Sequence, residues 1–335
     1  MAKRTFNRKA RALQPAVMKL HFEINANQLN AVVDLSECVS RLNRRFYRQG
    51  LNWAVANVRL TTQPATSLLQ GATSYVNTIP HTWPVASGWV KAFHAWKDQQ
   101  DAAIELMGGE SAVARFRDFK VSMAADYATA VKHSPVSMGP GNLVGPFATG
   151  LISGPVVDPA EDWDYSQIVI PNDGAPGVTN EYYLHMVGDA TAGSKGIIHG
   201  YEQSRSFPHS PDPASPQIST SWLNRMHDVG NNSDEIVDNA ELNNDNLPYD
   251  QNEYPGGKTN FVQLECQGYR LNQSTTGLNT WNTGPFTAPC GLIRFDFKDQ
   301  TPLAGDPQPN THNYVTIELV PGSHRGYLCE TMEEF

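Results

Sequence analysis

The chain has 335 residues, 40% of them hydrophobic, with 26 Gly, 23 Pro and a formal net charge of -9 at pH 7. The apolar fraction is enough for a sizeable core, and the supply of turn residues favours short strands over long helices. An acidic balance excludes a protein that coats nucleic acid over its whole surface, because phosphate binding needs clustered Lys and Arg.

The cations gather at the start. Lys3, Arg4, Arg8, Lys9, Arg11 and Lys19 precede the first acid, Glu23. Such an arm neutralises phosphates without reading sequence, and we read residues 1–15 as a nucleic-acid contact ahead of a mere solubilising tail. No long apolar run follows these charges, so neither a secretory signal nor a membrane span is expected.

Met18, Leu20, Phe22 and Ile24 then alternate with Lys19, His21 and Glu23, the pattern of a strand with one buried face. Asp34 and Glu37 have capping-box spacing, and Val39, Leu42 and Phe46 recur at helical intervals, predicting a short helix that Gly50 stops. Arg41, Arg44, Arg45 and Arg48 crowd the end of that helix. Cations there are favoured by the macrodipole, and Glu37 can pair with Arg41, but the other three extend the positive surface toward nucleic acid or a neighbouring subunit.

Residues 52–62 return to strand composition. A second helix is expected from a Ser87 cap to Gly108, with Trp89, Phe93, Trp96, Ala103 and Met107 along one stripe, read as core anchors. Further strands are expected at 116–123, 167–170, 181–187, 196–203, 261–269, 291–298 and 313–320. Eight or nine short strands with no βαβ alternation predict an all-β chain, a single jelly-roll β-sandwich with two inserted helices and long loops. The body spans 16–335 and includes an acidic excursion at 208–258, rich in Asp, Asn, Pro and Gly, read as a solvated surface loop.

Tests for chemistry come back empty. Cys38, Cys266, Cys290 and Cys329 contain no CxxC pair and read as reduced thiols, His185 and His199 stand alone in strand-like sequence, and no HxH, HExxH, GxSxG, GxxxxGK[ST] or GxGxxG motif occurs. No catalytic residue, metal or cofactor is expected. Two rival readings remain: a carbohydrate- or ligand-binding sandwich with Trp163, Trp222 or Trp281 as exposed platforms, and a metal-dependent jelly-roll enzyme.

Four runs then carry a resemblance: VDLSECVSRLNRRFYRQGLNWAVANVRL from Val33 to Leu60, IVIPNDGAPGVTNEYYLHMVGD from Ile168 to Asp189, SRSFPHSPDP from Ser204 to Pro213, and the closing LVPGSHRGYLCETMEEF. In this order they resemble capsid proteins of environmental circular Rep-encoding single-stranded DNA (CRESS-DNA) viruses. The resemblance implies a structural, non-enzymatic subunit that self-assembles with copies of itself into a small icosahedral virion. The shell would enclose circular single-stranded DNA with the basic arm inside, and assembly would take place in host cytoplasm or nucleus. The arm is short beside the Arg-rich arms of many such capsids, which shifts part of the expected DNA contact onto Arg41 to Arg48.

Overall fold

A computed structural model describes residues 15–25, 30–62, 72–107, 118–125, 163–173, 175–206, 222–225, 256–257, 264–274, 276–298 and 312–333. Five of the basic residues named above (Lys3, Arg4, Arg8, Lys9 and Arg11) and nearly all of the acidic excursion lie outside these residues.

In chain order the elements are β1 (Lys19–Asn25), β2 (Asn30–Asp34), α1 (Leu35–Asn43), β3 (Leu51–Thr62), β4 (Ala72–Thr78), α2 (Trp83–Met107), β5 (Ser122–Ala124), β6 (Gln167–Ile170), β7 (Asn180–Val187), β8 (Ser194–Gly196), α3 (Ile197–Ser206), α4 (Trp222–Arg225), β9 (Glu265–Asn272), β10 (Asn279–Asn282), β11 (Phe286–Ala288), β12 (Leu292–Lys298), β13 (His312–Leu319), β14 (Pro321–Gly322), β15 (Gly326–Tyr327) and β16 (Cys329–Thr331).

Two antiparallel sheets dominate. The first has the order β1-β13-β3-β10, with β11 and β16 also on β3; the second has the order β2-β12-β4-β9. Alternation explains how they pack. Leu20, Phe22 and Ile24 of β1 and Val315, Ile317 and Leu319 of β13 point into one core with Val33, Val76, Ile293, Phe295 and Phe297 of the second sheet, as expected of two inner faces that interdigitate. On β3 the buried set shifts from Trp53 and Val55 to Val58 and Leu60 because a bulge opposite Glu318 and Leu319 inserts one residue and reverses the faces.

The connection between β4 and β9 carries a second core. Here β7 pairs in parallel with β5 and β8 and antiparallel with β6, and α2 and α3 pack beside this small mixed sheet around Trp89, Trp96, Ile168, Leu184, Ile197 and Trp222. Val32 and Leu292, which face away from the sandwich interior, belong to the same cluster, so the insertion covers part of the outer face of the second sheet.

A buried polar network ties the two cores together. Asp34 caps α1 by accepting from the Ser36 and Glu37 amides at 2.9 and 3.2 Å, the arrangement its spacing predicts. Its second oxygen accepts from Gln49 Nε2 and Trp163 Nε1, each at 3.0 Å. Gln49 in turn pairs with both backbone groups of Val121, donating at 2.8 Å and accepting at 2.6 Å.

Four expectations are corrected. Residues 197–206 form a helix in place of the expected strand at 196–203: Ile197, Ile198 and Tyr201 are buried against α2 and Trp222, and burial on several sides leaves no alternation to read. Helix α1 ends at Asn43, where Arg44 adopts a left-handed conformation (φ 53), well before Gly50. Helix α2 begins at Trp83, with Pro84 in its first turn, where proline's fixed φ suits a helix start, so Ser87 lies inside it. Two inserted helices become four among the described residues, accompanied by the small mixed sheet. None of these helices is long and apolar enough to cross a membrane.

Candidate nucleic-acid interface

The described basic residues separate by partner. Lys19 lies on the outer face of the first sheet, its Nζ 2.8 Å from Glu318 Oε1, and this contact holds the Glu318 carboxyl below its ordinary value. Arg41 spends its charge on Glu37 at 3.0 Å, the i,i+4 pair that the spacing predicts. Arg44 is an exposed helix cap whose amide donates to Ser40 O. Arg45 Nη1 donates to Pro15 O at 3.2 Å. Arg48 is exposed on the segment leading to β3.

The first described residues cross the end of α1. Val17 N donates to Asn43 Oδ1 at 3.0 Å, and the Tyr327 hydroxyl accepts from Asn43 Nδ2 at 2.7 Å while donating to Val17 O at 2.6 Å. Together with the Arg45 contact, these bonds fix the chain's entry into the body beside Arg44 and Arg45. Pro15 and Val17, about thirty residues before the helix-end arginines in sequence, thus lie beside them in the fold.

Beside this junction opens a cleft of about 500 Å3, lined by Phe46, Arg48, Trp89, Phe93, Phe119 and Arg325 among others. Its walls are aromatic and ordered by one another: Trp89 and Phe93 stack at 5.3 Å and 7°, and Phe119 meets Trp89 edge-on at 5.6 Å. Gly50 lets the Trp89 ring lie against the backbone, since a Cβ there would be 2.4 Å from that ring. Arg325, in a left-handed conformation (φ 51), donates to Phe46 O and belongs to the tight β14–β15 hairpin. The sequence reading did not include Arg325. Its only signal was a lone cation in the turn SHRGY, far along the chain from the other arginines.

The residues of the rival readings fare differently. Trp163, Trp222 and Trp281 are buried, with 7%, 3% and 9% of their surface exposed, and their indole N–H groups donate to Asp34, Gly196 O and Ser74. They are core residues, a correction to their expected role as exposed platforms. His199 sits on α3 and not on a strand, between Asp189 at 3.6 Å and Glu202 at 3.5 Å. Among the described residues no group of three His, Cys, Asp or Glu side chains is placed to hold a metal ion. Comparison with protein-family models, with curated proteins and with solved structures finds no match to the chain.

The four cysteines form no disulfide among the described residues, and burial separates them. Cys38 and Cys290 are buried, and desolvation pushes the Cys290 thiol far up and the Cys329 thiol up to about 12, while Cys266 is exposed on β9. Since the thiolate is the reactive form, a thiol reagent at neutral pH is expected to modify Cys266 rapidly in the folded protein and the other three only on unfolding, as counted by mass spectrometry. Two or more fast-reacting thiols would contradict this burial.

Proposed function

We propose that the chain is the coat subunit of a small icosahedral virus, a jelly roll that closes into a shell around single-stranded DNA and carries no catalytic activity. One observation supports this reading best. Setting aside the short β11 and β16, which add to β3, the other eight strands of the two main sheets pair in chain order first with last (β1 with β13), second with seventh (β2 with β12), third with sixth (β3 with β10) and fourth with fifth (β4 with β9). This nesting is what results when one long antiparallel hairpin is rolled into two sheets, the arrangement used by viral shell domains and also by lectins and cupins. The burial of Trp163, Trp222 and Trp281 takes three of the residues offered as platforms away from the ligand-binding alternative.

Electrostatics favour the packaging role. The arm enters the body beside Arg44 and Arg45, so its five cations and the helix-end cations can act on one strand of phosphates. The outer edge of the second sheet offers the second requirement, a surface for copies of the chain. On β9 and the turn after it, Tyr269, Leu271 and Leu278 are 69%, 45% and 48% exposed, and a clustered apolar patch on an edge strand marks a contact surface.

The test is the full-length protein expressed alone, compared with a chain lacking residues 1–13. The full chain is expected to purify as large particles with a nucleic-acid absorbance ratio, and removal of Lys3, Arg4, Arg8, Lys9 and Arg11 to strip most of that nucleic acid. Each lost cation lowers the salt slope of single-strand binding by about 0.7, so the slope should fall by roughly 3.5. Equal nucleic-acid content in both proteins would contradict the role of the arm.

A further inference from the structure

We propose that the aromatic cleft holds one nucleotide of a bound single strand, its base against the Trp89 and Phe93 wall and its phosphate at Arg48 and Arg325. The proposal rests on the reading of the chain as a packaging subunit and adds a binding site to it outside the arm.

Four observations converge on a planar ligand that carries both an anion and hydrogen-bond acceptors. The volume of about 500 Å3 lies within the roughly 300–1,000 Å3 typical of small-ligand sites. Phe46, Trp89, Phe93 and Phe119 give it aromatic walls, and Phe93 remains half-buried, so part of its ring faces the opening. The Trp89 Nε1–H is buried and finds no acceptor among the described residues. A buried donor left unpaired is costly, and bases and phosphates are rich in acceptors that would satisfy it. Arg48 and Arg325 are exposed at the rim, and the bond from Arg325 to Phe46 O holds that guanidinium in place.

The position of the cleft gives the ligand a source. Tyr47 donates to Arg325 O at 3.0 Å and packs edge-on against Tyr327 at 5.5 Å, the tyrosine that grips Val17 where the arm enters. The described chain at Val17 is therefore joined to the cleft rim through two tyrosines. Stacking on aromatic walls with cations tracking the backbone is the general means of holding single strands without reading sequence. Glu333 also lines the cleft; it repels a second phosphate there but accepts from the exocyclic amino group of a base, which orients the base inward and the phosphate outward.

The experiment measures binding of a short labelled single-stranded DNA oligonucleotide by fluorescence anisotropy. It compares the full-length protein, its Phe93→Leu and Arg325→Gln variants, and the chain lacking residues 1–13. Phe93→Leu keeps the apolar bulk but removes an aromatic face, and should weaken binding roughly tenfold. Arg325→Gln removes one surface charge and should lower the salt slope by about 0.7. If both variants bind like the unmodified protein while the arm deletion abolishes binding, the cleft proposal is overturned and the packaging reading stands. If an acidic aromatic peptide competes at the cleft and the oligonucleotide does not, the site belongs to a protein partner, which also overturns it. If the full-length protein neither binds the oligonucleotide nor forms particles, both readings fall.

Discussion

Replacing Asp34 with Ala is expected to remove roughly 3–7 kcal/mol of stability, a large part of the 5–15 kcal/mol typical of a folded domain. The carboxylate is almost fully buried and accepts hydrogen bonds from the Ser36 and Glu37 amides, Gln49 Nε2 and Trp163 Nε1. Loss of the helix cap alone costs about 1 kcal/mol. The larger share comes from Gln49 and Trp163, whose buried N–H groups would be left without an acceptor at roughly 1–3 kcal/mol each. Asp34→Asn separates the two contributions. Its amide oxygen can still cap α1, but its NH2 would face two donors, so only the cap share should return. Urea unfolding of the three proteins measures this, and a loss below about 1 kcal/mol for Asp34→Ala would mean that the network is not what joins the sandwich to its insertion.

The second large effect falls on assembly and leaves the fold intact. Tyr269→Asp and Leu271→Asp, on the exposed outer face of β9, should yield a soluble subunit with an unfolding curve within about 0.5 kcal/mol of the parent, as surface substitutions usually do. Among the described residues Tyr269 stacks on Tyr75 of the adjacent strand, at 6.2 Å and 27°, and much of its ring remains open. If this patch joins copies of the chain, placing a charge in it costs each contact roughly 2 kcal/mol, about 30-fold in affinity. Because a closed shell repeats one contact many times, that loss should abolish particles entirely. Unchanged particles from both variants would place the contact elsewhere.

The same residues show which features can be read from sequence. The Asp34 cap is a local signal, and the residues that carry it are three apart; β6 likewise matches its expected span of 167–170 because a short alternating run bounded by turns has one plausible conformation. The other half of the Asp34 site was not legible, because Gln49 reaches it from the connection after α1 and Trp163 from the insertion, and nothing in their local sequence marks Asp34 as their acceptor. Helix α3 failed for a related reason. Its Ile and Tyr residues favour a strand when read alone, and packing on α2 and Trp222 overrides that preference.

The positive surface divides in the same way. The crowding of Arg41, Arg44, Arg45 and Arg48 was visible, but Arg41 is engaged by Glu37, and Arg325 joins Arg48 at the cleft only because the β14–β15 hairpin returns to α1. The nested strand order is the least local feature of all. Each of its pairs except β4 with β9 and β3 with β10 joins the two ends of the chain, and β strength and burial pattern name the strands without naming their partners.

Electron microscopy of the full-length protein expressed alone tests the central claim most directly. A jelly-roll subunit that carries its own contact surfaces and its own nucleic-acid arm should form uniform, closed spherical particles of one size, stable at low salt and loosened as salt rises. A protein that stays monomeric at every salt concentration, with no nucleic acid in its absorbance spectrum, would contradict the coat-protein reading.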